Sequence, residues 1–125
     1  MLILAQTTVN SPAIPGTIQD AAAACVAAGG KALAIKTDVT DEAQVAAAVA
    51  AAVARFGGID ILINNASTHW PTRTADTDTR RYNTMMGVNL KGSYLVSRAC
   101  MPHLQLSPNP HVLTIAPAPM ADHTW

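Results

Sequence analysis

The chain has 125 residues, one domain's worth of material and enough for a real core if it forms a complete unit. Half of it is apolar, much of that alanine, while eight basic and eight acidic residues cancel and are scattered in ones and twos. This balance gives no basic patch for nucleic acid and no charge run of a disordered tail; the longest apolar run, Val45 to Ala54, is too short to span a bilayer.

Leu2 to Ala5 reads as a buried strand, followed by a loop from Gln6 to Gly16 marked by Asn10-Ser11-Pro12 and Pro15-Gly16. Thr17 to Ala28 is an alanine-rich helix closed by Gly29-Gly30, where left-handed backbone is favoured. Lys31 to Lys36 is a second strand and runs into Thr37-Asp38-Val39. Thr40 can cap the next helix, with Asp41 and Glu42 at the positive end of its dipole and Val45, Val49, Val53 and Phe56 on one stripe.

That helix stops at Gly57-Gly58, and the stretch beyond it organises the rest. Ile59, Ile61, Leu62 and Ile63, interrupted once by Asp60, predict a parallel strand covered on both faces. In open parallel sheets ligands sit beyond the carboxyl ends of the strands, which is where Asn64, Asn65, Ala66 and Ser67 fall. Amide side chains donate and accept at once, so they can tie a strand end to its neighbour or meet a ligand. A plain turn is the competing reading of Asn-Asn.

A polar loop from Ser67 to Ala75 holds His69 and Trp70, which either line a substrate mouth or belong to a plain surface loop. A long helical region runs from about Thr77 to Leu104, with Met85, Met86, Leu90, Tyr94 and Leu95 as apolar positions and Pro102 in its last turn. His111 to Ile115 is the last strand, and Ala116-Pro117-Ala118-Pro119 leads on to Trp125. Helices between short strands imply right-handed crossovers, hence an α/β fold: a doubly wound parallel sheet in three α/β/α layers. Cys25 and Cys100 fit no metal or redox spacing and read as reduced, buried thiols; the four histidines share no ligand spacing with carboxylates, so no metal site is expected. With no secretory signal after Met1, a soluble, intracellular and by default cytoplasmic protein is expected.

Asp38-Val39 after the second strand, Asn64-Asn65-Ala66 after the third, and Val88-Asn89-Leu90-Lys91-Gly92 inside the following helix resemble, in order and spacing, the short-chain dehydrogenase/reductases. The resemblance covers nearly the whole chain. It implies an NAD(P)-binding Rossmann-like domain over residues 1–125 and hydride transfer between a nicotinamide and a small alcohol or carbonyl substrate. Asp38 would hydrogen-bond the adenine, with Val39 against it; Asn65, Ala66, Ser67 and Val88 would border the cofactor, and Asn64 would tie the strand to the sheet centre. Asn89 would hold a water in the catalytic proton relay, and the helix over residues 85–104 would build a homo-oligomer contact. The plainer readings are a strand-ending Asp38, a solvent-facing Asn89 and core methionines. Gln6-Thr7-Thr8 lacks the carboxylate that NAD enzymes of this kind carry to bind the ribose, so the cofactor is NADP or NAD with a slight lean to NADP; no basic residue stands there for the phosphate.

The departures are as informative. The family's glycine after Asn-Asn-Ala is Ser67, costly only if that position keeps positive φ. The glycine-rich turn that seats a pyrophosphate on a helix N-terminus does not occur, and the catalytic serine is expected at Ala116 or Pro117, neither with a hydroxyl. The Y-x-x-x-K pair is missing as well. The chain therefore reads as the middle of a longer protein whose first strand is missing, inactive alone and marginal in stability. A non-catalytic binding or oligomerisation module derived from the same fold is the alternative. In the doubly wound order the Leu2 and Ile59 strands would flank the missing one, so they should either pair directly in parallel or leave a groove one strand wide.

Overall fold

The computed structural model describes residues 1–8 and 15–116. Its elements are β1 (Leu2–Ala5), α1 (Ile18–Ala27), β2 (Leu33–Lys36), α2 (Glu42–Phe56), β3 (Ile61–Asn64), α3 (Thr79–Met85), α4 (Ser93–Leu104) and β4 (His111–Thr114). The long helix expected from Thr77 to Leu104 is α3 and α4 joined by a π-helical segment, Met86–Gly92. A short 3-10 turn, Thr74–Asp76, precedes it.

Capping residues set the helix starts. Thr17 and Asp20 form a reciprocal capping box on α1. On α2 the cap is Asp41 rather than the expected Thr40: the Asp41 carboxylate accepts from the N–H groups of Ala43 and Gln44 at 2.9 and 3.1 Å. Thr40 is diverted, its hydroxyl donating to Asp38 Oδ1 at 2.7 Å. Gly57, at φ 90°, ends α2 in the left-handed region that a side chain would strain.

Both strand pairings are parallel, β1 with β2 and β3 with β4, Leu2 lying opposite Leu33 and Ile61 opposite His111. β1 and β3 do not pair with each other. A groove of about 650 Å³ opens instead, lined by Met1 and Leu2, by residues 59–64, and by Val39, Val49, Val96 and Cys100. Of the two arrangements expected from the sequence, direct pairing of the two strands is thus not the one adopted.

α1 packs on β1 and β2, while α2 packs on α4, and α4 on β3 and β4. Among the described residues no element of the first group packs broadly on the second, so the turn from Thr37 to Asp41 carries the join. Val39 enters the core with Val45, Val49, Leu62, Val96, Cys100 and Leu104. Each buried valine or leucine there contributes roughly 1.5–3 kcal/mol.

Several expectations about burial are corrected. β3 starts at Ile61 and is covered on one face only: Leu62 and Asn64 are buried, but Ile61 is 62% and Ile63 56% exposed. α4, which packs on β3, meets its Leu62–Asn64 face. On α2 the buried set is Val45, Ala48, Val49 and Ala52, with Val53 and Phe56 only half-buried. The alanines are core residues because a small side chain lets α2 approach α4 closely. Cys100 is buried as expected, but Cys25 is only half-buried, since α1 has a single buried residue, Ile18.

Candidate functional site

The π-helical segment reaches both the turn after β2 and the loop after β3, and the C-terminal ends of β3 and β4 lie side by side. Such segments replace i→i+4 bonding with i→i+5, which widens the turn and re-aims the side chains it carries. From this one, Asn89 reaches the loop after β3, while Gly87, Lys91 and Gly92 face the turn after β2.

The turn after β2 is fixed from within and from outside. Thr40 donates to Asp38 Oδ1 from its N–H at 2.9 Å and from its hydroxyl, while the Asp38 N–H donates to Gln44 Oε1 at 3.0 Å. Lys91 Nζ donates to the Thr40 carbonyl at 3.2 Å. Val39 is buried against Gly92, where an added β-carbon would lie 2.8 Å from Val39 Cγ2. Asp41, capping α2, has its carboxyl held below the ordinary aspartate range, chiefly by hydrogen bonds from Gln44 and in smaller part by the Lys91 charge.

At the end of β3, Asn64 is buried and ties three elements together. Its Nδ2 donates to Ser97 Oγ on α4 at 3.0 Å and, at a longer 3.4 Å, to Thr114 Oγ1 on β4. A buried amide left unpaired would cost about 1–3 kcal/mol, so these hydroxyls stabilise the strand end. Asn65, Ala66 and Ser67 are exposed beyond it, and Ala66 lines the groove. No described residue other than glycine has positive φ, so Ser67 carries no left-handed strain. Asn89 closes the loop: its Oδ1 accepts from the Thr68 N–H and its Nδ2 donates to the Thr68 carbonyl. Val88 is half-buried and packs against the core cluster.

The structure brings Val39, Asn64 and Ala66 to the groove wall, while Asp38 and Asn89 hold the turn after β2 and the loop after β3. Ala116 is exposed beyond β4, and Pro117 lies outside the described residues. His69 is exposed and Trp70 half-buried in the loop, and neither lines the groove. The sequence alone assigned no site role to Thr40, Thr68, Lys91, Gly92, Ser97 or Thr114. Gly92 was the one legible signal, since a glycine inside a helix without a capping role marks a close approach. The rim offers an apolar wall, a carboxylate acceptor and amides of both polarities, which suits holding a flat polar ligand.

On α4, Tyr94 and Arg98 stand four residues apart, with the guanidinium 5.6 Å from the ring centroid. Arg98 also pairs with Glu42. It joins α2 to α4 across an exposed surface and has no place in the rim.

Residues 7–117 match the family model of the short chain dehydrogenases. The chain belongs to that family. Over all 125 residues it is 48% identical to hydroxysteroid dehydrogenase-like protein 2 of Danio rerio and 47% identical to that of Homo sapiens, spanning 30% of each relative's length. A Mycobacterium thermoresistibile short chain dehydrogenase of known structure superposes with a TM-score of 0.90 at 40% identity, covering 99% of this chain and 44% of that one. A Xanthomonas campestris crystal structure assigned as a dehydrogenase superposes at 0.88 with 53% identity, covering 97% and 45%. The fold is accordingly a partial Rossmann-like α/β unit of short parallel strands and helices. Among the described residues no helix is long and apolar enough to cross a membrane.

Proposed function

We propose that this chain supplies the adenine side and the centre of an NAD(P)-dependent oxidoreductase acting on a small alcohol or carbonyl substrate. The supporting observation is the convergence of the Asp38–Thr40 turn, the Asn64–Ser67 strand end and Asn89 at one rim, joined by a single π-helical segment. A nucleotide fits the residues present: Asp38 has one carboxylate oxygen engaged by Thr40 and a second with which to accept from an adenine amine, while Val39 and Ala66 line the groove.

Bound there, a nicotinamide cofactor supplies hydride. Asp38 and Val39 hold the adenine, and Asn65, Ala66, Ser67 and Val88 border the cofactor. Asn64 keeps the strand end in place, and Asn89 fixes the loop from which a proton relay is built. No aspartate stands at the end of β1, where Gln6 and Thr7 follow the strand, which favours NADP slightly over NAD. Met86, Leu90, Tyr94 and Met101 expose an apolar stripe along the π-segment and α4, fit for a second copy of the chain.

The test is titration with NADPH and NADH, followed by fluorescence, of both the protein as its gene encodes it and residues 1–125 alone. Binding by the encoded protein and none tighter than millimolar by residues 1–125 is expected, because the glycine-rich turn is missing from these residues. A non-catalytic binding or oligomerisation module is favoured by one observation, that Ala116 and Pro117 offer no hydroxyl where the family's serine is expected. Under that reading the encoded protein binds nucleotide but oxidises no alcohol in a broad panel.

A further inference from the structure

We infer that Lys91 is a positioning residue for nucleotide binding, which it serves by bracing the turn that presents Asp38. This rests on the adenine-side reading above and deepens it. The chain of contacts is short: Lys91 Nζ donates to the Thr40 carbonyl at 3.2 Å, and Thr40 donates twice to Asp38 Oδ1, at 2.9 and 2.7 Å. Neither Lys91 nor Thr40 reaches the rim's amides; each acts through the next residue.

Two features make this more than a surface lysine touching a carbonyl. The first is register. The π-segment puts Lys91 beside Gly92, which is pressed on Val39, and one widened turn from Gly87, whose added β-carbon would meet Thr40 Cγ2 at 3.8 Å. Two neighbouring contacts, Lys91 on Thr40 and Gly92 on Val39, thus fall on one short turn. The second is leverage. That turn joins the β1–β2–α1 group to the rest among the described residues, so a change in its shape moves Asp38 relative to the groove. An ammonium is also the right group here, because it stabilises a carbonyl flanked by the carboxylates of Asp38 and Asp41 and lessens their repulsion of an approaching phosphate.

The test uses the encoded protein and three probes: ADP-ribose, NADPH and nicotinamide mononucleotide, by calorimetry well below the melting temperature. Lys91→Met is expected to weaken ADP-ribose and NADPH by about three- to ten-fold, the loss of one solvent-exposed hydrogen bond. It should leave nicotinamide mononucleotide unchanged. Lys91→Arg, which keeps a charged donor, should recover most of the affinity. Thr40→Val, which removes the hydroxyl bond to Asp38 but keeps the carbonyl, should weaken the same two probes and serves if Lys91→Met does not fold. A lower melting temperature with unchanged Kd values would make Lys91 a structural residue and overturn the inference. Wild-type protein that binds neither ADP-ribose nor NADPH would overturn the adenine-side reading itself, a distinguishable result.

Discussion

Asn89 grips the backbone of Thr68 with both ends of its amide, accepting at 2.9 Å and donating at 3.0 Å. A carboxamide reproduces the pairing that one strand offers another, so the loop after β3 is held without belonging to a sheet. Asn89→Ala removes both bonds at a solvent-exposed position. The expected cost is about 1 kcal/mol in urea unfolding, with the Thr68 amide exchanging about five-fold faster. Unchanged protection at Thr68 would show that the loop holds itself.

Gly92 and Gly87 lie five residues apart and should respond oppositely to alanine. At Gly92 the new methyl would meet Val39 Cγ2 at 2.8 Å, a core side chain with little room to move. Overpacking costs about 1–3 kcal/mol, more than the roughly 1 kcal/mol gained in helix propensity. At Gly87 the nearest atom is an ordinary 3.8 Å away, so the propensity gain survives. A lower melting temperature for Gly92→Ala and an equal or higher one for Gly87→Ala are the outcomes to measure.

The two thiols should separate under alkylation with iodoacetamide and mass spectrometry. Cys100 is buried, and burial pushes its thiol pKa up. It should stay unmodified in the native state at neutral pH and react on unfolding, whereas half-buried Cys25 is labelled first. The linkage sign follows: a raised folded pKa means the neutral thiol's contribution is complete below the unfolded thiol pKa and is lost as pH rises through the folded value.

Asp41 has the opposite sign. Its carboxyl is held low by hydrogen bonds from Gln44 as it caps α2, so its contribution is present above the unfolded aspartate pKa and is lost as pH falls through the lower folded value. Asp41→Asn retains an accepting oxygen and Asp41→Ala does not. At pH 7 the alanine variant should melt below the wild type, and the gap should close as acid protonates the wild-type carboxylate. A gap independent of pH would assign the effect to shape rather than charge.

Much of the architecture was legible because alanine-rich helices punctuated by Gly29 and Gly57 leave few alternatives for the strands between them. The strand end at Asn64 was legible too, since an amide pair after an apolar run has few uses inside a parallel sheet. Burial was less so. Ile61 and Ile63 carry the pattern of a strand covered on both faces, yet one face is open, because apolar residues record the neighbours they suit and not those within reach. The π-segment was not read from the sequence: two glycines in Met86–Gly92 weaken an ordinary helix there, but the widened turn answers to the contacts of Asn89, Lys91 and Gly92 with distant loops. Thr40 was misread for a similar reason, as Asp38 outcompetes the helix terminus for its hydroxyl.

The division into two packing groups leaves Thr37–Asp41 as the tie between them. Warming should let the β1–β2–α1 block swing away before β3 and β4 unravel, and each swing draws Val39 out of its seat beside Gly92. The rim would then lose its shape while most of the secondary structure endures, so recognition fails at a lower temperature than melting.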